Sequence, residues 1–215
     1  MDIVLDAIEA RVLGSLIEKE LATPEYYPLS LNALTNACNQ KSNRFPVLSL
    51  DEDTVVNALH SLKKKRLVGQ SDSSRVPKYW HDFDKQHNLI RREAALICML
   101  LLRGQQTAGE LRSRTERLCS FDSIEEVLQY LDNLAEIGFV AKLPRQPGQK
   151  EQRFAHLLSG EPEMIEHITI RQDPGIFAAG SAIDRIADLE RAVASLKDEI
   201  DQLRSELFAL KKELE

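Results

Sequence analysis

A chain of 215 residues with 43% hydrophobic side chains has enough apolar material for one or two folded domains, which excludes a disordered protein. Its three cysteines form no CxxC pair and are odd in number, which argues against structural zinc and against a disulfide framework. The net charge is −6 and negative charge is spread along the chain, whereas a domain dedicated to nucleic acid is usually basic.

Other features of the sequence bear on location and chemistry. The longest apolar run, residues 94–102, is about half the length of a membrane span, and the acidic first ten residues lack the basic start of a signal peptide. We therefore expect a cytoplasmic protein without membrane contact. No phosphate-binding glycine loop, nucleophile elbow or metal-ligand spacing occurs in the sequence. The expectation is a protein that is not an enzyme and uses no cofactor.

The N-terminal part of the chain predicts three helices followed by two short strands. Apolar spacing predicts a first helix over residues 5–21, which ends there because a proline follows. Ser30 is placed to cap a second helix, and a third helix begins within residues 49–52. The strands are predicted at residues 67–68 and 78–80. Three helices followed by a hairpin form the winged-helix plan.

The same pattern returns after residue 90, so we distinguish a first copy and a second copy. The corresponding apolar positions of the third helix are Val55, Leu59 and Leu62 in the first copy and Val127, Leu131 and Leu134 in the second. Capping boxes at Thr107–Glu110 and Ser123–Glu126 open the second and third helices of the second copy. Its strands are predicted at residues 139–143 and 152–156. Leu59 and Leu131 should therefore be equivalent, buried core positions.

The C-terminal segment, from about residue 183 to the end, has the spacing of a coiled coil. Its apolar residues recur at gaps of three and four, with β-branched residues at most a positions and leucine at d, which favours a parallel dimer. The residues of this dimer seam are Ile186, Leu189, Val193, Leu196, Ile200, Leu203, Leu207 and Leu210.

The predicted fold is mainly α with small β-hairpin wings. It consists of two tandem winged-helix domains, which contain a helix-turn-helix, and a C-terminal coiled-coil helix. The predicted divisions are residues 1–85 for the first winged-helix domain, 86–160 for the second, 161–181 for a linker and 182–215 for the coiled coil.

Three stretches of the chain resemble signature segments of the YceH-like family of bacterial proteins. They are Ala37–Val47, Leu101–Arg114 and Lys150–Leu157. The resemblance covers most of residues 5–160 and implies tandem winged-helix domains. Because that family has no assigned biochemical function, the resemblance implies a fold and leaves the activity open.

One polar loop and two sets of cations are the candidates for contact with nucleic acid or another anionic partner. Loop residues 39–44 include side chains that read base edges or hold phosphates, although turn chemistry explains some of them. The arginines on the second helix of the second copy fit either an anionic partner or a salt-bridge network between domains. The second hairpin has the composition of a wing that straddles a phosphate backbone. The candidates are Asn39, Gln40, Lys41, Asn43, Arg44, Arg112, Arg114, Arg117, Arg145, Lys150 and Arg153.

The third helices themselves begin with carboxylates, at residues 51–53 and 125–126. In a helix that reads the major groove these side chains would face phosphates of like charge, and a role in stabilising the helix N-terminus explains them. The leading interpretation is a regulator-like, DNA-binding homodimer that uses its loop and wings on double-stranded DNA. The alternative is a protein-interaction scaffold in which the winged helices dock protein partners, and the negative charge favours this alternative.

Overall fold

The computed structural model describes residues 3–71, 75–145 and 151–161. They belong to one compact unit, which is mainly helical and contains two small antiparallel sheets. Within these ranges no helix combines the length and the apolar character needed to cross a membrane. Lys150, the predicted coiled coil at 182–215 and all of the predicted linker except residue 161 lie outside the described residues.

The first copy contains three helices and a sheet of three strands. Its elements are α1 (Ala7–Ala22), β1 (Leu29–Ser30), α2 (Leu31–Cys38), α3 (Glu52–Lys64), β2 (Val68–Ser71) and β3 (Lys78–His81), followed by the short helix α4 (Phe83–His87). The strand order is β1-β3-β2 and both pairs are antiparallel. The sequence predicted only the hairpin, because a strand of two residues has no alternation to detect.

The second copy repeats this order of elements. It contains α5 (Arg91–Arg103), β4 (Gln106–Thr107), α6 (Ala108–Thr115), α7 (Ile124–Glu136), β5 (Val140–Lys142) and β6 (Arg153–His156), with the strand order β4-β6-β5. Leu59 and Leu131 are 1% and 0% exposed, which confirms them as buried core positions. The division predicted between residues 85 and 86 lies inside α4.

The capping boxes of the second copy are formed to different extents. Thr107 and Glu110 each accept a hydrogen bond from the backbone N–H of the other, as predicted. At the start of α7, Ser123 Oγ accepts the N–H of Glu126 at 3.2 Å. The Glu126 carboxylate, however, accepts the N–H of Asp122 rather than that of Ser123. In the second box, the glutamate therefore accepts its hydrogen bond from the residue before the N-cap instead of from the N-cap itself.

The two copies share one hydrophobic core, in which α1 packs against α5. Gly14 allows their close approach, because a Cβ atom at Gly14 would come within 3.0 Å of the Leu102 side chain. Cys98 occupies the position of α5 that corresponds to Gly14, and its Sγ donates to the Gly14 carbonyl at 3.3 Å. Because equivalent positions of the two copies touch each other, the pairing resembles the isologous interface of a twofold dimer.

Two residues beyond the third helix of each copy the backbone is left-handed, with Arg66 at φ 61° and Gly138 at φ 80°. A side chain in this conformation costs roughly 1–2 kcal/mol, and glycine avoids that cost but loses more entropy on folding. We expect Arg66→Gly to raise the free energy of unfolding by about 1 kcal/mol in urea denaturation. The matched change, Gly138→Ala, should lower it by a similar amount. A Gly138→Ala variant as stable as the wild type would contradict this explanation.

Candidate anion-binding groove

The loop of residues 39–46 follows α2 and is held by the buried guanidinium of Arg44. Its Nη1 and Nη2 atoms donate to the two carboxylate oxygens of Glu18 at 3.1 and 2.6 Å. The remaining N–H groups bind the carbonyls of Ala37 and Asn43, so all five donors have acceptors. The exposed fractions of the Arg44 and Glu18 side chains are 0% and 10%. Arg44, a predicted contact residue, therefore has no free donor to offer a partner.

Arg11 of α1 holds both ends of the same loop. Its Nη1 donates to the carbonyl of Cys38 at 3.0 Å, and its Nη2 donates to the carbonyl of Pro46 at 2.5 Å. Burial, followed by the charge of Arg44, lowers the pKa of Arg11 from its ordinary value. Neither this role nor that of Glu18 was predicted from the sequence. The available signal was the presence of two charged residues, seven positions apart, within a helix stretch that is otherwise mostly apolar or small.

Asn39 also serves the loop itself. Its side chain donates to the carbonyl of Leu50 at 2.8 Å and accepts the N–H of Leu50 at 2.7 Å. Between Asn39 and Arg44, the loop displays Gln40, Lys41 and Asn43, of which Lys41 and Asn43 are exposed. The predicted set of loop contacts thus divides into residues that shape the loop and residues that it presents to solvent.

The loop lies against the second copy, because the Phe45 N–H donates to the Leu102 carbonyl of α5 at 2.9 Å. Here a groove of about 730 Å³ is lined by the loop, the C-terminal part of α1, the end of α6 and the turn that follows α6. We call it the basic groove, because its lining includes four cations, Lys19, Lys41, Arg114 and Arg117. Arg117, predicted on the second helix of the second copy, lies in the turn after α6, because α6 ends at Thr115. Predicted contact residues from both copies therefore meet at one surface.

Two of these four cations are partly engaged by the fold. Lys19 Nζ lies 3.5 Å from the Glu18 carboxylate, which also pairs with Arg44. Arg114 Nη2 lies 3.2 Å from Glu110, one turn earlier in α6. Both lie in the last turns of their helices, where positive charge also complements the helix dipole. These contacts reduce what Lys19 and Arg114 contribute to an external ligand.

The other two cations, Lys41 and Arg117, are exposed. Among the residues that the structure describes, neither forms an ion pair. Close by, burial and then the charge of Arg114 lower the pKa of Arg103, as expected where positive charges gather. Lys41 and Arg117 can therefore bind an anion without giving up an existing ion pair.

Two further predicted arginines bind backbone carbonyls. Arg112 donates to the carbonyls of Phe121 and Asp122 at 3.1 and 2.9 Å, which ties α6 to the segment before α7. Arg153 donates to the carbonyl of Gln105 at 2.8 Å. Neither residue lines the basic groove. The contacts of Arg112 and Arg153 lie within the second copy.

The hairpin candidate Arg145 is exposed and lines a different groove, next to α7. The carboxylate of Asp51 accepts the N–H of Thr54 at 2.7 Å, and hydrogen bonding to Thr54 lowers the pKa of Asp51. Glu126 pairs with Arg92 at 2.7 Å. These acids stabilise the starts of α3 and α7, which agrees with the structural role expected for them.

The chain resembles bacterial proteins along almost its whole length. A family model described as "Protein of unknown function, DUF480" matches residues 5–149. A UPF0502 protein of Solibacter usitatus is 56% identical over 206 residues, which cover 95% of this chain and 98% of the relative. A UPF0502 protein of Aeromonas hydrophila is 49% identical over 217 residues, with 98% and 99% covered. For a relative in Geobacter sulfurreducens the identity is 52% over 200 residues, with 91% of each chain covered. The protein therefore belongs to the DUF480 family of bacterial proteins, whose members include the UPF0502 proteins, consistent with its resemblance to the YceH-like family.

Proposed function

We propose that this protein is a non-enzymatic, regulator-like DNA-binding protein, built from two tandem winged-helix domains and a parallel coiled coil that makes it a homodimer. The order helix, strand, helix, helix, strand, strand in each copy supports the winged-helix assignment, as does the repeated strand order. The fold by itself does not imply DNA binding, since one fold serves many functions. The basic groove is therefore the feature that supports DNA binding.

The observation that carries the proposal is that cations from both copies line one groove. Phosphate contacts supply essentially all of the affinity in non-specific DNA binding and require only well-placed positive charge. The groove also presents the amides of Gln40 and Asn43, which can donate to phosphate oxygens. The acidic starts of α3 and α7 disfavour base reading by those helix ends. The proposed contact is therefore electrostatic and largely independent of DNA sequence.

Replacing Lys41 and Arg117 together by alanine is expected to lower the salt dependence of DNA binding. With four phosphate contacts, affinity should fall roughly a hundredfold between about 50 and 200 mM salt, and with two contacts roughly tenfold. The slope of log affinity against log salt should thus decrease by about two. Fluorescence anisotropy with a mixed-sequence duplex measures both slopes.

A matched control removes the same charge outside the groove. Lys85 and Lys142 are 70% and 43% exposed, and their joint replacement by alanine should leave the slope unchanged. An equal decrease of the salt slope in the control variant would show that overall charge, rather than the groove, determines binding. No binding by the wild type at tens of micromolar protein and about 50 mM salt would overturn the DNA-binding proposal.

The coiled coil adds a second DNA-binding unit in this proposal. A chain without residues 182–215 should be mostly monomeric in light scattering and should bind a long duplex more weakly, with the same salt slope per binding unit. A truncated chain that remains a dimer would contradict the predicted seam.

A protein-interaction scaffold is the second candidate function. The exposed apolar side chains of Ile124 and Leu128 on α7 favour it, because they lie where a winged helix would otherwise approach the phosphate backbone. This surface belongs to the second copy and is distinct from the lining of the basic groove.

A further inference from the structure

Each copy has a groove between the start of its second helix, the start of its third helix and its hairpin. In the first copy the groove measures about 710 Å³, and its charged lining residues are Glu52, Arg75 and Lys78. In the second copy it measures about 290 Å³, its charged lining residues are Arg145 and Glu151, and Ile124, Leu128 and Phe154 are its large apolar ones. We call these the first and second hairpin grooves. They occupy the same place in the repeated order of elements.

The two grooves differ in chemistry at corresponding positions. The shared spacing of α3 and α7 aligns Glu52 with Ile124, and these two residues line their respective grooves. Ile124 is 42% exposed, and Leu128, one turn later, is 37% exposed. In the second copy an exposed isoleucine thus replaces a glutamate beside the groove, and Leu128, which aligns with Val56, extends the apolar surface.

The later part of the exposed face of α7 is acidic where that of α3 is basic, although Asp132 of α7 is paired with Lys142 at 2.7 Å. Towards the end of α3 the exposed side chains include His60 and Lys64, and the aligned positions of α7 are Asp132 and Glu136. Glu125, next to Ile124, adds a third exposed carboxylate on α7. This face repels a phosphate backbone and attracts cations, so it is unsuited to the DNA contact proposed for the basic groove.

The size of the second hairpin groove limits what it can accommodate. A volume of about 290 Å³ is at the lower end of ligand pockets, which suits one large side chain better than a cofactor. Covering Ile124 and Leu128 would remove apolar surface from water, which is favourable by roughly 25 cal/mol per Å². Glu151 in the lining and the exposed carboxylates of α7 outnumber Arg145, the one cation among the described lining residues, and would favour positive charge beside the inserted group.

We propose that the second hairpin groove docks a basic segment of a partner protein, which inserts a leucine, isoleucine or phenylalanine against Ile124 and Leu128. The apolar lining provides the anchor site, and Glu151 in the lining together with Glu125 beside Ile124 selects a cationic segment. The docking is independent of the proposed DNA binding, because it uses a different groove and the opposite charge.

Gly109 provides a direct way to close this groove. A Cβ atom at Gly109 would have no neighbour nearer than 3.9 Å, and the nearest atoms include Glu151 Oε2 on the hairpin. Gly109 lies in α6, where a larger residue also has better helix propensity than glycine. Gly109→Leu should therefore fill the groove without destabilising the protein.

The test uses the full chain and a labelled synthetic peptide that carries two leucines four residues apart, flanked by lysines. Fluorescence anisotropy should detect micromolar binding to the wild type. Gly109→Leu and Leu128→Ser should each weaken binding by roughly tenfold or more. Matched peptides with glutamate in place of lysine, or serine in place of leucine, should not bind. Circular dichroism of each variant verifies that the fold is retained.

Charge reversal provides the matched control. Glu125→Lys with Glu151→Lys should weaken binding of the peptide, whereas Glu25→Lys with Glu116→Lys, an equal change at exposed positions away from the groove, should not. The proposal is overturned if the wild type does not bind the basic peptide, or if Gly109→Leu binds it as the wild type does. A Gly109→Leu variant that loses duplex DNA binding would assign the groove to nucleic acid and overturn protein docking.

Discussion

Replacing Glu18 by leucine is expected to lower the free energy of unfolding by roughly 3–5 kcal/mol. The carboxylate of Glu18 forms a bidentate pair with Arg44, whose side chain is completely buried. Without Glu18 the guanidinium would remain desolvated and would lose its counter-charge. Urea denaturation followed by circular dichroism measures the effect.

The double variant Glu18→Leu with Arg44→Leu separates the ion pair from the general cost of a core substitution. Since both charges leave together, this variant should recover much of the stability lost by the single variant. It should nevertheless lose DNA binding, because Arg44 no longer holds loop 39–46 beside the basic groove. A double variant no more stable than Glu18→Leu, or a single variant within about 1 kcal/mol of the wild type, would contradict the role of the pair.

Lowering the pH from 7 to 4 is expected to cost about 3 kcal/mol of stability through His156 alone. Burial lowers the pKa of His156 from 6.5 to about 4, because the charged imidazole is poorly solvated in β6. The unfolded chain takes up the proton at the ordinary pKa. The contribution of neutral His156 is therefore complete above pH 6.5, decreases as the pH falls, and is lost below the folded pKa. Linkage gives a loss of about 2 kcal/mol by pH 5.

His156→Leu should remove this part of the pH dependence. The free energy of unfolding, measured at pH 7 and at pH 4, should differ by about 3 kcal/mol less in the variant than in the wild type. Other acid-sensitive groups cancel in the comparison. One is Glu20, whose pKa is lowered by its hydrogen bond with His81 and whose contribution is lost as the pH falls below 4.5 in both proteins. An equal loss of stability in the variant would show that His156 is not the responsible group.

The local elements of this fold could be predicted because their signals lie within a few residues. The spacing of Leu59 and of Leu131 with their neighbours placed α3 and α7 in the same register, and both residues are buried. The Thr107 capping box is formed as the sequence indicated. Strands β1 and β4, of two residues each, were missed because their pairing with β3 and β6 is a long-range property.

Lys41 and Arg44 show what the sequence by itself determined and what only the tertiary structure decided. Both were predicted contact residues of one polar loop. Arg44, however, is buried and paired with Glu18 of α1, whereas Lys41 is exposed. Arg117 of the second copy and Lys41 of the first copy line the same groove. Residue type and local spacing determined which side chains carry charge and which helices form. Whether a charged side chain is paired within the fold or exposed to a partner depends on which distant segments pack beside it. The reason is that ion pairing depends on distance in space and not on separation along the chain.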